Sequence, residues 1–64
     1  MPLDLKRIKA RRRALNISQE EMADALQIDR VLYSKRERGL IQFKSTELPI
    51  LAEKLKLKLE QLYQ

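Results

Sequence analysis

The sequence predicts an all-α fold, a compact domain of five short helices. Apolar residues recur at spacings of three and four, and no stretch alternates apolar and polar residues for long enough to indicate a strand. One glycine and two prolines among many Leu, Lys, Glu, Ala and Arg residues also favour helices. Because the sequence shows no repeat or flexible linker, we predict one domain over residues 1–64.

The first helix is predicted from Asp4 to Leu15, because Leu5, Ile8, Arg12 and Leu15 fall on one face. The inner face of this helix therefore contains an arginine. Asn16 is a predicted stop, since asparagine tolerates the left-handed backbone conformation that commonly follows a helix.

The second and third helices have recognisable caps. Ser18 followed by Glu21 predicts a capping box at the start of a helix that ends at Leu26. Asp29 is the predicted cap of a third helix, from Arg30 to Arg38, which ends at Gly39, the only glycine. Two short helices joined by about three residues result.

After a loop over residues 40–44, Thr46 is the predicted cap of a fourth helix with Pro49 in its first turn. Its inward residues are Leu48, Leu51, Ala52 and Leu55. A short fifth helix is predicted around Leu59 and Leu62, and we expect Leu57 to fill the core between these two helices.

The composition excludes much of the catalytic repertoire. The chain has no cysteine and no histidine, so it cannot form disulfides, Cys/His zinc sites, thiol nucleophiles or imidazole bases. We predict a protein that is not an enzyme and that has no cofactor, metal or small-molecule substrate. With no signal-peptide pattern and no apolar run of about 20 residues, we expect a cytoplasmic protein that does not enter membranes.

The charge points to an anionic partner. Fourteen Lys and Arg against nine Asp and Glu give a net charge of +5, which suits nucleic acid or a lipid surface but also simple solubility. Six of the eight residues from Lys6 to Arg13 are basic. Lys6, Lys9 and Arg13 share a helix face that either follows a phosphate backbone or is only solvated.

Resemblance to a known protein family favours one of these alternative partners. The block from Ser18 to Gly39 resembles the Cro/C1 repressor family of helix-turn-helix proteins, and a later segment is similar to the fourth helix of lambdoid phage repressor domains. The first match rests on Gln19, Glu21, Ala23, Leu26, Ile28, Arg30, Ser34 and Glu37, and the second on Leu48, Pro49, Leu51 and Ala52.

The resemblance implies a lambda-repressor-like fold with the helix-turn-helix motif at about residues 18–38. It further implies a transcriptional regulator, most often a repressor, in a bacterial or phage-infected cell. Such a protein binds a double-stranded DNA operator as a homodimer and reads the major groove with its third helix. Leu59, Leu62 and Tyr63 are candidates for an apolar edge facing the second subunit, while Tyr33 is expected to pack.

The same resemblance implies roles for individual residues. The candidates for base contacts are Asp29, Arg30, Val31, Leu32, Ser34 and Lys35. The candidates for phosphate contacts are Gln19, Arg38, Gln42 and Lys44. A guanidinium can donate two hydrogen bonds to guanine, so Arg30 is the leading candidate for base recognition. Val31 and Leu32 are the candidates for packing on a thymine methyl group. Arg12 and Glu37 are expected to form a partly buried ion pair.

Two residues depart from the family pattern. Gln27 stands where glycine is frequent, which implies either a left-handed glutamine at a cost of about 1 kcal/mol or a different turn. Arg36 stands where an apolar residue is usual. Either its stem covers the core while the guanidinium reaches solvent, or the third helix is rotated and the base-contacting positions shift by one residue.

Two other functions stay open at this point. The same fold can serve as a protein-interaction module, such as an antitoxin or adaptor, although the basic third helix speaks against it. An amphipathic helix on an anionic membrane is disfavoured, because the first helix has few apolar residues. The sequence is compatible both with a complete small regulator and with the DNA-binding domain of a longer one.

Overall fold

The computed structural model describes residues 2–64, and every regular element in that range is helical, apart from one isolated β-bridge between Leu3 and Tyr63. Four α-helices and two short 3₁₀ turns follow one another along the chain. The α-helices are α1 Leu5–Ala14, α2 Gln19–Leu26, α3 Arg30–Glu37 and α4 Leu48–Lys54, and the 3₁₀ turns are Ser45–Glu47 and Leu59–Leu62.

The all-α prediction is confirmed, but the predicted number of five helices is wrong. Residues 59–62, the predicted fifth helix, form a single 3₁₀ turn in which the Gln61 side chain accepts a hydrogen bond from the Lys58 backbone N–H at 2.7 Å. A segment of four residues gains too few hydrogen bonds to offset the cost of nucleating an α-helix.

The boundaries of α1 lie within one residue of the prediction. Asp4 caps the helix, its carboxylate accepting the Arg7 N–H at 3.0 Å, and Leu15 is the C-cap. Asn16 has a φ of 58°, which is the left-handed conformation expected of it.

Only half of the predicted capping box forms at α2. The Ser18 hydroxyl accepts the Glu21 backbone N–H at 3.0 Å. The Glu21 carboxylate, however, accepts a long hydrogen bond of 3.5 Å from the Ser18 hydroxyl and not one from the Ser18 backbone. The start of the helix was therefore predictable, whereas the reciprocal contact was not.

The turn between α2 and α3 contains a left-handed glutamine. Gln27 has a φ of 59° and a ψ of 40°, and its N–H donates to the Ala23 and Asp24 carbonyls. This geometry decides between the two alternatives for this residue: the turn keeps the conformation that glycine favours, with a side chain that does not favour it.

The prediction that Thr46 caps the fourth helix is wrong. Thr46 lies exposed within the first 3₁₀ turn, and the residue before α4 is Glu47, which is buried. Glu47 turns inward because its carboxylate accepts the Lys44 backbone N–H at 2.9 Å and lies beside the guanidinium of Arg36. Pro49 does lie in the first turn of α4, where its missing N–H costs no hydrogen bond.

The core is formed by all four α-helices, the second 3₁₀ turn and Phe43 of the loop after α3. Its fully buried large side chains are Ile8, Met22, Tyr33, Leu51, Leu55 and Leu62. Leu57 is half-buried against this cluster, as expected. The two ends of the described chain lie side by side, with the Asp4 N–H donating to the Leu62 carbonyl at 2.8 Å.

The left-handed glutamine predicts a stabilising substitution. Replacing Gln27 with glycine should raise the free energy of unfolding by about 0.5–1 kcal/mol, because glycine adopts this conformation without the steric cost borne by other residues. Urea denaturation followed by circular dichroism measures the change. The control is Gln27→Ala, which removes the same amide side chain, and an equal gain from alanine would contradict the explanation.

Candidate nucleic-acid interface

Helix α3 has an inner and an outer face. Tyr33, Arg36 and Glu37 are buried and form the inner face. With 3.6 residues per turn, the opposite face is centred on Val31 and Lys35. Val31 is 60% exposed, although it is apolar, and Lys35 is half-exposed one turn further along.

The first turn of α3 presents an arginine to solvent. Arg30 is the first residue of the helix and is exposed. Asp29 immediately before it caps the helix, and its Oδ1 accepts the Leu32 backbone N–H at 2.8 Å. Leu32 and Ser34 are half-exposed on the flanks of the outer face. All six predicted base-contacting residues thus remain accessible to some degree.

The predicted phosphate-contacting residues lie at both ends of the two-helix unit. Gln19 is the first residue of α2 and is half-buried, with its Nε2 donating to Glu37 Oε1 at 3.4 Å. Arg38 is the C-cap of α3 and is exposed, as are Gln42 and Lys44 in the following loop. Gln19 is therefore held against α3, whereas the other three side chains are exposed to solvent.

Arg12 and Glu37 form a buried ion pair between α1 and α3. Arg12 Nε and Nη2 donate to the two Glu37 carboxylate oxygens at 2.9 and 3.1 Å, and Nη1 donates to the Ile17 carbonyl at 2.9 Å. The Tyr33 hydroxyl donates to Glu37 Oε2 at 2.6 Å. Bidentate geometry of this kind makes a charge-assisted pair both strong and directional.

These contacts displace the pKa values of the three groups. Burial raises the pKa of the Tyr33 phenol far above its ordinary value, and the hydrogen bond to Glu37 raises it further. Burial alone would raise the pKa of Glu37, but hydrogen bonds from Arg12 and Tyr33 outweigh it, so this pKa is lowered. The hydrogen bond to Glu37 raises the pKa of Arg12. Glu37 is therefore ionised at neutral pH.

The basic stretch of α1 divides into two groups. Arg11 Nε donates to the Leu55 carbonyl at 2.9 Å, and Arg12 pairs with Glu37, so both side chains form contacts within the protein. The other four, Lys6, Arg7, Lys9 and Arg13, are exposed. The face shared by Lys6, Lys9 and Arg13 is accessible to an anionic partner.

Comparison with known proteins identifies the family. A model of the helix-turn-helix family matches residues 8–62. The chain belongs to the helix-turn-helix family. This membership confirms the resemblance to the Cro/C1 repressor type and makes the protein a DNA-binding transcription regulator and not an enzyme.

One solved structure is also similar to this helix-turn-helix protein. It is the crystal structure of the P22 c2 repressor protein in complex with synthetic operator 9T in the presence of Tl⁺, with a TM-score of 0.84 and 26% sequence identity. The match covers 100% of this chain and 97% of the P22 c2 chain. No curated protein sequence matches the chain.

The position of Arg36 in the structure contradicts both of the alternatives predicted for this residue. The residue is only 5% exposed, so the guanidinium does not reach solvent, and its burial shows that α3 is not rotated. Its Nε lies 2.9 Å from Glu47 Oε1. The helix-turn-helix domain therefore has a second buried ion pair, which joins α3 to the segment before α4.

Sequence reasoning missed five contacts in this region, including those from Gln19 to Glu37 and from Arg12 to the Ile17 carbonyl. The hydrogen bond from the Tyr33 hydroxyl to Glu37 could have been predicted from the sequence, because the two residues are four apart and must share a helix face. The Arg36–Glu47 pair and the hydrogen bond from Arg11 to the Leu55 carbonyl could not, since each joins residues that are distant in sequence.

The described residues contain neither a cluster of metal ligands nor a helix that could span a membrane. Between residues 2 and 64, no group of three or more acidic, His or Cys side chains is placed to hold a metal ion. Within the same range, no helix has the length and apolar character needed to cross a membrane.

The Glu37 network predicts a pH-dependent stability. Glu37→Gln should lower the free energy of unfolding at pH 7 by roughly 3 kcal/mol, because it leaves Arg12 buried without a counter-charge. Since the folded-state pKa of Glu37 is lowered, its stabilisation is present above the ordinary value of 4.5 and is lost as the pH falls below it. The difference between wild type and Glu37→Gln should therefore shrink from pH 6 to pH 3.

Urea denaturation at pH 6, 4.5 and 3 measures this difference. The exposed Glu53 supplies the control, because Glu53→Gln removes the same charge from the surface of α4 and should change stability little at any of these pH values. A Glu37→Gln difference that stays constant with pH would show that the carboxylate charge is not what stabilises the network.

Proposed function

We propose that this protein is a repressor that recognises a specific double-stranded DNA operator by placing α3 in the major groove. The observation that carries the proposal is the outer face of α3. An apolar residue, Val31, is 60% exposed there between basic residues, while the inner face of the same helix is fixed by two buried ion pairs. A rigid helix with accessible apolar and cationic side chains suits the major groove, which is wide enough for an α-helix.

Within this proposal, the early residues of α3 read the bases. Arg30 is exposed at the start of the helix and donates to guanine O6 and N7. Val31 packs on a thymine methyl, and Leu32 flanks it. Ser34 and Lys35 contact bases one turn further along. Asp29 uses one carboxylate oxygen as the helix cap, and the other remains free to accept from a base amino group.

The phosphate contacts position the helix. Gln19 is braced by Glu37 at the start of α2, and Arg38 extends from the end of α3. Gln42 and Lys44 are exposed in the loop that follows. Contacts of this kind set register and orientation without reading sequence.

The similarity to the operator-bound P22 c2 repressor supports an operator as the partner. Binding as a homodimer to paired half-sites belongs to the same proposal. The predicted apolar edge needs correction, since Leu62 is buried in the core and Tyr63 is half-buried. Leu59 is the member of that edge that stays exposed for a second subunit.

Fluorescence anisotropy tests sequence reading. A labelled duplex is first selected from a randomised library by repeated binding, and its affinity is then measured at several salt concentrations against random-sequence competitor. We expect binding that survives the competitor and weakens steeply with salt. Arg30→Ala should lose the preference for the selected duplex at the guanine it contacts, by about tenfold or more.

The matched control is Arg13→Ala, which removes an equal charge from the exposed face of α1. It should weaken binding to all duplexes to a similar extent. If no sequence is enriched, or if both variants weaken binding uniformly, sequence-specific recognition by α3 is contradicted. A protein partner would then be the function to pursue.

A second experiment tests Val31. Replacing thymines of the selected duplex one at a time by uracil removes a single methyl group from the groove. Wild type should bind about fourfold more weakly at one position, as expected for the loss of one buried methyl group. In Val31→Ala this sensitivity should disappear. Equal discrimination between thymine and uracil by wild type and variant at every position would exclude the contact.

A further inference from the structure

A cavity of about 390 Å³ lies behind α3, away from the outer face described above. Its walls come from the N-terminal segment, the end of α3 and the loop that follows. They are mainly apolar, formed by Leu3, Leu5, Ile41, Phe43 and Leu48. This volume is within the range of pockets that bind small molecules.

The one charged residue in the cavity wall is Arg36. The Nε and Nη1 atoms of its guanidinium are buried, and among residues 2–64 neither has a hydrogen-bond acceptor. Glu47 Oε1 is 2.9 Å from Nε, but the N–H bond is not directed at that oxygen, which accepts the Lys44 backbone N–H instead. The charge of Arg36 is thus balanced while two of its nitrogens lack an acceptor.

The unpaired nitrogens of Arg36 and the neighbouring charge of Glu47 together determine which type of ligand fits the cavity. Buried donors without an acceptor are costly, so a molecule that brings an acceptor into the cavity relieves that cost. Because Glu47 already balances the guanidinium, a second buried anion beside it would be an uncompensated charge. A neutral acceptor such as a carbonyl oxygen satisfies the nitrogens without adding charge.

We propose that this cavity is a binding site for a small neutral molecule with an apolar body and a carbonyl group. The apolar body packs between Leu5, Phe43 and Leu48, and the carbonyl oxygen accepts from the Arg36 guanidinium. None of the residues proposed to contact bases lines this cavity, although Gln42, a proposed phosphate contact, does.

Two probes of matched shape test the role of the acceptor. Acetophenone and ethylbenzene differ mainly in a carbonyl group against a methylene. Titrated into ¹⁵N-labelled protein without DNA, acetophenone should shift the amide signals of Leu5, Ile41 and Phe43 and the side-chain Nε–H signal of Arg36. It should bind about fivefold more tightly than ethylbenzene, as expected for one hydrogen bond. Benzoate, the anionic analogue, should bind more weakly than acetophenone.

Substitutions in the cavity wall test whether the two neutral probes bind in this cavity. Ile41→Trp should fill the cavity and abolish binding of both neutral probes. Its control is Ile50→Trp, at an exposed isoleucine outside the cavity, which should leave binding unchanged. The double variant Arg36→Met with Glu47→Gln removes both charges together, so it strands neither, and it should bind the two probes equally.

Several results would overturn the proposal. Equal affinity of wild type for acetophenone and ethylbenzene would remove the role of Arg36, and tighter binding of benzoate would show an anion site. Unchanged binding to Ile41→Trp, or no shift of the cavity signals by acetophenone, would show that the cavity is not the site. Because DNA is absent, none of these results bears on the proposed repressor function.

Discussion

The carboxylate of Glu37 is the interaction on which the arrangement of the first three helices depends. It accepts hydrogen bonds from Arg12 of α1, from Gln19 of α2 and from Tyr33 of α3 itself. A buried carboxylate is tolerated only when its charge and lone pairs are satisfied, so the three helices must hold these positions together. Arg12 extends the constraint to the α1–α2 loop through the Ile17 carbonyl.

The buried face of α3 is unusual for so small a domain, since Tyr33, Arg36 and Glu37 are all polar or charged. Elsewhere the core is apolar, with Ile8, Met22, Leu51 and Leu55 in one cluster and Phe43 packed edge-on against Tyr33. Buried ion pairs add little net stability relative to apolar packing, but breaking one is costly because it strands a charge. In this domain the buried ion pairs determine which face of α3 is exposed to solvent.

The features that sequence reasoning predicted are local ones. The side-chain bonds of Ser18 and Asp29 to the starts of their helices and the left-handed Asn16 all arise within four residues, so residue type and spacing suffice to predict them. The predicted cap at Thr46 was wrong because a distant residue, Arg36, takes part in drawing Glu47 inward instead. The candidate DNA-contacting residues came from the family resemblance; six of the ten are exposed and four are half-buried.

The sequence by itself determined the helical class, most helix ends and the exclusion of cysteine and histidine chemistry, because these follow from composition and from contacts within one or two turns. Only the tertiary structure decided the burial of Arg36 beside Glu47, the hydrogen bond from Gln19 to Glu37, and the cavity between the N-terminal segment and the loop after α3. The reason is physical. Whether a charged side chain reaches water or is buried depends on which distant groups surround it after folding.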